Sequence, residues 1–324
     1  MKKVAIIGAG MAGLTIATYL QKQNFDVTIF DKGRGVGGRM SSRRTDWGYL
    51  DHGTQYFRIQ HPDFQKFTEK YQAIIQPWRG KFATWVECDL IPEEDTDIKY
   101  VPLKSMNNLC KAIAEKLTIH LQTRIINLKK TQNWTLIAEN GQEYQNFDLV
   151  IITAPPAQTA DLLASHSPIT AEIREIQMLP CFSLMLIPEK SVTLPYDGIK
   201  FEHPILGWLS VNGSKAEREN NSGLIIQSNF SWAMANLETD KEEVTNILVK
   251  TVNELFALNL DSFKYKSIHL WRYALPLKSH QQGYFYDEKN QLAVCGDWCL
   301  LGKVESAFLS AYYLSLAIEG VIIR

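Results

Sequence analysis

The sequence predicts an α/β fold, with a parallel sheet carrying helices and a second, mixed α+β part. Three observations predict it. Lys2–Ile7 is a short apolar run that leads directly into Gly8-x-Gly10-x-x-Gly13. Ala12–Gln21 then reads as a helix and Phe25–Phe30 as a second apolar strand, which makes a strand–helix–strand unit. Two further apolar strands, Phe147–Thr153 and Gln291–Cys295, lie far along the chain and each stops at Pro or Gly punctuation. With 324 residues, 45% hydrophobic and 21% charged, the chain has room for two domains and a large core, and is not a disordered polymer.

The remaining elements follow in order. Ser105–Leu117 reads as a helix. Ile119–Leu128, Trp134–Glu139 and Glu143–Tyr144 read as strands, with Asn140-Gly141 as the hairpin turn between the last two. From about Thr159 to His269 the pattern is mixed. Met185–Ile187, Gly207–Val211 and Leu224–Asn229 read as strands, Asp240–Phe256 as an amphipathic helix, and Asn212–Gly223 as an exposed polar loop. A last helix spans Val304–Ala317.

Charge and cysteine content narrow the function. Lys plus Arg number 34 and Asp plus Glu 35, so no basic excess exists to hold a nucleic-acid backbone. The five cysteines (Cys88, Cys110, Cys181, Cys295, Cys299) are odd in number and scattered, which fits a reducing cytoplasm better than a disulfide framework. No Cys/His spacing suits a metal. The Met1–Ala17 run resembles a signal peptide only until its glycines are counted, and it has no small-residue cleavage site. Ala307–Ile323 is apolar but interrupted by Ser310, Ser315, Glu319 and Gly320; it reads as a buried helix rather than a membrane span, with a peripheral membrane contact as a lesser option.

Gly8, Gly10 and Gly13 have the spacing of a dinucleotide-binding turn, which needs a sharp bend, close approach of backbone to pyrophosphate, and close helix–strand packing. The helix N-terminus that follows favours the diphosphate charge. Asp31 ends the next strand, 18 residues beyond Gly13, where a carboxylate can accept from ribose hydroxyls. Three more segments point to FAD rather than a nicotinamide cofactor. Gly37-Gly38-Arg39 follows closely, with Arg39 suited to the diphosphate. The strand Phe147–Thr153 ends in Ala154-Pro155, against the cofactor. Cys295-Gly296-Asp297-Trp298 precedes the last helix, with Asp297 suited to ribityl hydroxyls and the helix N-terminus to charge on the reduced flavin.

The order of these motifs resembles the glutathione-reductase-type FAD-binding, Rossmann-like fold, in the branch that contains amine oxidases. Three stretches narrow the likeness to renalase and its bacterial relatives. Leu50–Phe57 resembles their Asp-x-Gly-Ala-Gln-Tyr segment, with Thr54 in place of Ala. Trp208–Lys215 resembles their Trp-to-Ser-Lys-Pro segment, with Ala216 in place of Pro. His269–Ala274 resembles their His-x-Trp-Arg-Tyr segment. Trp298 and Val304–Ala307 also match, whereas Ser306 and Ala311 stand where glycine is frequent.

The resemblance implies a flavoenzyme with noncovalent FAD. Its domains are an FAD-binding domain (1–57, 100–158 and 268–324) and a discontinuous mixed α+β, amine-oxidase-like substrate domain (58–99 and 159–267). It adds Met11, Ala12, Lys32, Met40, Gln55, Tyr56, Val304 and Glu305 to the cofactor-binding set. It implies oxidation of a non-standard dihydronicotinamide dinucleotide, by hydride transfer to flavin N5, with molecular oxygen as acceptor and H2O2 as product. Amine oxidation on the same fold is the alternative, and a non-catalytic flavin-binding regulatory protein is the third reading. Tyr56, Trp271, Arg272 and Tyr273 are the candidate substrate-cavity residues: aromatic walls suit a flat ring, and Arg272 suits a carboxamide or phosphate. Core packing for the aromatics and a salt bridge for Arg272 are the competing explanations. Lys215 and Arg218, on the polar loop, are read as solvated, with guidance of phosphates as a lesser option. His52, His269 and His280 are read as structural. No partner other than a small molecule and oxygen is expected, and the oligomeric state is open.

Overall fold

The computed structural model describes residues 1–94, 97–164, 166–218, 222–278 and 280–322. Lys3–Ile7 lies inside a six-stranded sheet between Asp26–Phe30 and Leu149–Ile152, pairing in parallel with both. Thr118–His120 adds in parallel at one edge, and Leu292–Cys295 beyond Leu149–Ile152. The antiparallel strand Tyr284–Asp287 closes the other edge. Side chains alternate across a strand, and here both faces are covered. Val4 and Ile6 pack with Leu14 of the helix Met11–Lys22 and Phe308 of the helix Val304–Ile322. Ala5 and Ile7 pack with Trp134 and Leu136 of a three-stranded meander, Ile125–Lys130, Trp134–Ala138 and Glu143–Phe147. Burial on both faces is why these strands read as unbroken apolar runs.

A second, seven-stranded mixed sheet runs in the order Phe263–Pro276, Met178–Pro188, Leu224–Ser228, Leu206–Val211, Gly198–Phe201, Phe82–Val86, Asp89–Pro92. The helix Lys241–Phe256 covers its outer face, seating Val244, Leu248 and Val252 on Phe182, Leu184, Leu209 and Ile226. Asp240 caps that helix by accepting from the N–H groups of Glu242 (2.8 Å) and Glu243 (3.4 Å). The inner face of this sheet carries Trp208, Ser210, Gln227 and Ser183 and meets the segment Asp51–Tyr56 from the first domain.

The opening strand–helix–strand unit, the Asn140-Gly141 turn (Gly141 φ +82°) and the helix after Asp240 form as the sequence predicts. Other elements differ. The helix expected over Ser105–Leu117 is confined to Asn108–Ala114, because Ser105 and Asn107 form a turn whose side chains bond each other at 2.8 Å. The single strand expected over Ile119–Leu128 is two: the chain leaves the parallel sheet after His120 and passes Gln122 at φ +53°. There it ties back to Gly33 and Asp31, then enters the meander. Met178–Pro188 is far longer than the Met185–Ile187 segment expected.

Phe263–Pro276 pairs with Met178–Pro188 along nearly its whole length. The residues His269–Ala274 therefore belong to the seven-stranded sheet, although the sequence reading places them, from 268 onward, with the FAD-binding domain. Phe64 and Phe67 of the helix Pro62–Thr68, beyond the boundary expected at 57, pack on Phe308 at 5.1 and 4.7 Å between ring centres. The last helix extends to Ile322, past the expected Ala317; residues 323–324 of the apolar tail lie outside the described residues. Among the described residues, no helix is long and apolar enough to cross a membrane.

Gly13 shows how tightly the first unit closes. A Cβ there would lie 1.9 Å from the Gly8 carbonyl oxygen, whereas a Cβ on Gly10 would meet no atom within 4 Å. Gly13→Ala is expected to cost at least about 1–3 kcal/mol, because backbone must move to admit the methyl. Gly10→Ala is expected to leave the melting temperature of the cofactor-free protein nearly unchanged, and thermal denaturation of the two variants side by side checks both.

Candidate active site

The glycine turn is built by backbone. Gly8 sits at φ +115°, where a side chain is strained, and its N–H donates to Phe30 O at 2.8 Å. Met11, Ala12 and Gly13, all buried, form the first turn of the helix, whose N-cap Gly10 offers no side-chain acceptor. The orphan N–H groups at that end are left for an anion. Gly10 has an ordinary φ of −80° and open space at its Cβ. The protein itself does not require glycine there, so the gap is a cradle that a side chain would fill and a diphosphate can occupy.

The second glycine loop lies directly on the first. Gly37 N–H donates to Ala9 O at 2.9 Å, and Gly38 (φ +53°) brings its backbone against Gly10. Met40 is buried beside Cys110. Asp31 accepts from the N–H groups of Ala9 and Gly33, each at 2.6 Å, so its carboxylate stands at the rim of the turn. Lys32 reaches outward to Gln158 at 3.2 Å. Arg39 is paired with Asp297 and also donates to Ala274 O at 3.1 Å. That guanidinium thus joins the glycine loop, the substrate-sheet strand and the Gly296-Asp297 turn. Val304 begins the last helix, half-buried, but the Glu305 carboxylate accepts from the N–H groups of Gln60 (2.7 Å) and His61 (2.9 Å). The Glu305 carboxylate thus clasps the 60–61 segment. Cys295 and Cys299 are buried, which pushes both thiols well above their ordinary range, and neither is a ready nucleophile.

At the domain junction the sequence reading is overturned. Lys215 and Arg218 are fully buried rather than solvated, and Asn212 with them. Both cations converge on the buried Asp51. Its Oδ2 accepts from Arg218 Nη2 (2.9 Å), Arg218 Nε (3.2 Å) and Lys215 Nζ (3.3 Å). Its Oδ1 accepts from Ser42 Oγ (2.6 Å) and Met106 N (3.0 Å). Residues 219–221 of the expected loop lie outside the described residues. Gln55 is drawn into the same network: its Oε1 accepts from Ser210 (2.9 Å) and Lys215 (3.1 Å), and its Nε2 donates to the carbonyls of Asp51 and Gly53. Burial would raise the Asp51 carboxyl, but Lys215 and Arg218 outweigh it and hold it below the ordinary range. Burial pushes the Lys215 ammonium down to about 8, against the pull of Asp51.

Of the four candidate cavity residues, the structure brings two to this junction. Trp271 donates through Nε1 to His52 O at 2.8 Å and stacks on the His52 ring at 5.3 Å, while His269 meets it edge-on at 4.3 Å. Tyr56 packs against Trp208 (5.7 Å) and Trp78 (6.3 Å), two aromatics that the sequence reading did not single out as site residues. Tyr273 packs instead into the core cluster around Trp298. Arg272 alternates to the opposite face of the strand from Trp271, is exposed, and pairs with Glu238 at 3.6 Å, so the salt bridge is its role here. Burial pushes His52 down to about 4, with His269 and Arg43 adding to it, and lowers His269 as well. Both imidazoles are neutral near pH 7. Among the described residues, no group of three or more His, Cys, Asp or Glu is arranged to hold a metal ion.

The cluster Asp51–Lys215–Arg218 carries one positive charge in excess. Asp51→Asn is expected to cost about 3–5 kcal/mol, because it leaves two buried cations without their counter-charge. Lys215 behaves oppositely. Its folded pKa of about 8 lies below its unfolded value, about 10.4. The fold disfavours its proton, so stability should rise as pH climbs from 8 toward 10.4. Lys215→Met should be nearly neutral at pH 7 and should abolish that rise; urea denaturation of both variants at pH 7 and pH 10 measures it.

Comparison with known proteins agrees with this architecture. Residues 6–71 match the NAD(P)-binding Rossmann-like domain family, and residues 83–315 match the flavin containing amine oxidoreductase family. Over 109 residues the chain is 41% identical to 4,4'-diapophytoene desaturase (4,4'-diaponeurosporene-forming) of Staphylococcus aureus (strain MRSA252); the shared stretch covers 31% of this chain and 21% of that relative. The chain thus spans about a fifth of the desaturase it matches. Two solved structures share the fold at low identity. A putative protoporphyrinogen oxidase from Exiguobacterium sp. 255-15 aligns with a TM-score of 0.73 at 12% identity, over 98% of this chain and 99% of that one. A putrescine oxidase triple mutant redesigned for cofactor binding aligns with a TM-score of 0.74 at 12% identity, over the same shares. The glycine cradle and the Gly296-Asp297 turn fit FAD, the second family match covers most of the chain, and the chain accordingly belongs to the flavin containing amine oxidoreductase family as an FAD-dependent oxidoreductase.

Proposed function

We propose that this enzyme is a renalase-like oxidase, which oxidises a non-standard dihydronicotinamide dinucleotide and delivers the electrons to molecular oxygen, giving H2O2. The observation that carries the reading is the make-up of the junction between the two sheets. Its rings are Tyr56, Trp78, Trp208 and Trp271, its imidazoles are neutral, and both oxygens of its buried carboxylate, Asp51, are engaged by Ser42, Met106, Lys215 and Arg218. A protonated amine needs a free counter-charge when it leaves water. A dihydronicotinamide needs a flat apolar surface for its ring, which these aromatic side chains supply.

FAD, when bound, would supply a hydride acceptor at flavin N5 and a route for the electron pair to oxygen. The chain's part is to hold and orient, because aromatisation drives the transfer and no acid or base is required. In the same proposal Asp31 holds the adenosine ribose, Gly37, Gly38 and Arg39 the diphosphate, and Asp297 the ribityl chain. The buried, protonated thiols of Cys295 and Cys299 support noncovalent attachment. Amine oxidation is the second reading, favoured by the three rings Tyr56, Trp78 and Trp208 grouped within 6.4 Å of one another.

The cofactor roles are tested by titrating stripped protein with FAD. Asp297→Ala should weaken binding about ten- to hundred-fold through loss of charge-assisted hydrogen bonds. Gly10→Ala should weaken it at least as much, by placing a methyl in the diphosphate cradle. An unchanged dissociation constant for either variant removes that residue from the cofactor set.

The reaction is tested by anaerobic mixing of oxidised enzyme with the 2-, 4- and 6-dihydro isomers of NAD(P) and with a panel of amines. The 2- or 6-isomer should bleach the flavin fastest, since a pocket that sets one ring carbon about 3–3.5 Å from N5 misplaces the others. Bleaching by an amine and by no dihydronicotinamide would establish the second reading. Bleaching without peroxide on admission of air would retain the hydride donor and reject oxygen as acceptor.

A further inference from the structure

Three protein cations rest on the aromatic rings at the junction. Lys99 Nζ lies 4.2 Å from the centre of the Phe82 ring and 5.5 Å from that of Tyr56. The Arg58 guanidinium lies 6.0 Å from the Tyr56 centre, and Lys215 Nζ lies 4.9 Å from that of Trp78. Phe82 belongs to the same ring group, since it meets Trp78 edge-on at 4.8 Å. Backbone pairing sets Lys99 in place. Phe57 N donates to Tyr100 O at 3.0 Å, Tyr100 N to Phe57 O at 2.8 Å, and Trp78 N to Lys99 O at 2.7 Å. Lys99 is thereby held beside both Tyr56 and Trp78.

Each of these cations already has a carboxylate. Lys99 pairs with Glu93 at 2.6 Å, Arg58 with Asp97 at 3.5 Å, and Lys215 with Asp51 at 3.3 Å. Lys99 is the one that stands on two rings, and its side chain is 5% exposed, against 33% for Arg58. Burial raises the Tyr56 phenol, and Glu93 is close enough to add to that effect. A ring face attracts a cation through its quadrupole, the more strongly where water is excluded. A second cation at the same rings meets like-charge repulsion in a medium of lowered dielectric. It also finds Glu93, Asp97 and Asp51 engaged, so nothing in this group offsets its lost hydration.

We infer that Lys99 is a specificity-determining residue: it covers Tyr56 and Phe82 with a protein cation, keeps Glu93 paired, and so makes the ring group favour an uncharged ring over a protonated amine. Glu93 is then a latent counter-charge, which Lys99 withholds from any incoming amine. Only the placing of the substrate at this junction rests on the function proposed above; the charge preference of the rings does not.

The preference is read with two probes of similar shape, benzylamine, which is protonated at pH 7, and benzyl alcohol, which is neutral. Their dissociation constants are measured on the oxidised holoenzyme, by perturbation of the flavin spectrum, for wild type, Lys99→Met and Lys99→Met/Glu93→Gln. Wild type should bind the alcohol more tightly than the amine. Lys99→Met keeps the apolar stem, removes the charge and frees Glu93, so the ratio of the two constants should shift about ten- to hundred-fold toward the amine. Lys99→Met/Glu93→Gln should lose most of that gain, because the freed carboxylate is gone. A purely structural ion pair would move both constants together and leave their ratio alone. Lys99→Gln, which can still donate to Glu93 and loses only the charge, is measured alongside in case Lys99→Met does not fold. A ratio unmoved in variants that melt near wild type would overturn the inference. So would a wild type that binds benzylamine as tightly as the alcohol, or no binding of either probe to any of these proteins. A shifted ratio in an enzyme that no dihydronicotinamide bleaches would sink the function proposed above and leave the role of Lys99 standing. Bleaching by a dihydronicotinamide with the ratio unmoved would remove Lys99 alone.

Discussion

A single buried carboxylate holds the two halves of this protein in register. Asp51 follows the glycine loops on the first sheet's side; Lys215 and Arg218 arrive more than 160 residues later, just after a strand of the seven-stranded sheet, and all three are removed from water. Removing Asp51 alone would leave two buried cations without a counter-charge. The segment running from Asp51 to Tyr56 is consequently pinned at its start by ions and along its length by Gln55, Gly53 and His52, each bonded to the substrate sheet.

The dinucleotide half is governed by steric exclusion rather than charge. Gly8, Gly13, Gly37 and Gly38 each serve the chain's own backbone, through positive φ or a contact that a Cβ would break. At Gly10 neither φ nor a close contact within the chain demands glycine. Within the six-residue turn the chain's own sterics thus demand glycine at positions 8 and 13 but not at position 10. Arg39 then extends the cradle to the junction, through Asp297 on one side and Ala274 on the other.

The substrate sheet is two-faced for the same economy of burial. Its outer face is aliphatic and lies under one amphipathic helix, which supplies the stability. Its inner face sets Trp, Gln, Ser and His side chains beside a small aliphatic cluster of Met185, Ile187 and Ile225, and among the described residues Ser183 Oγ and Trp208 Nε1 on that face lack a partner. Such exceptions to polar pairing concentrate where a fold has been shaped for a ligand rather than for itself.

The opening strand–helix–strand unit, the glycine turns, the Asn140-Gly141 hairpin and the helix after Asp240 were legible from sequence, because each depends on periodicity or backbone sterics within about a dozen neighbouring residues. Lys215 and Arg218 were not: a polar stretch reads as solvated until its counter-charge, Asp51, is known to lie against it. Glu305 and Arg272 carried the right chemistry for a site, but one helix packing and one strand register turned them to other partners. The length of Phe263–Pro276, and with it the place of Trp271, was set by pairing with a strand about 90 residues earlier. Local pattern determined which segments are helices, strands and turns; only the tertiary structure decided which face meets water, because burial is a property of two surfaces and the second is supplied from elsewhere in the chain.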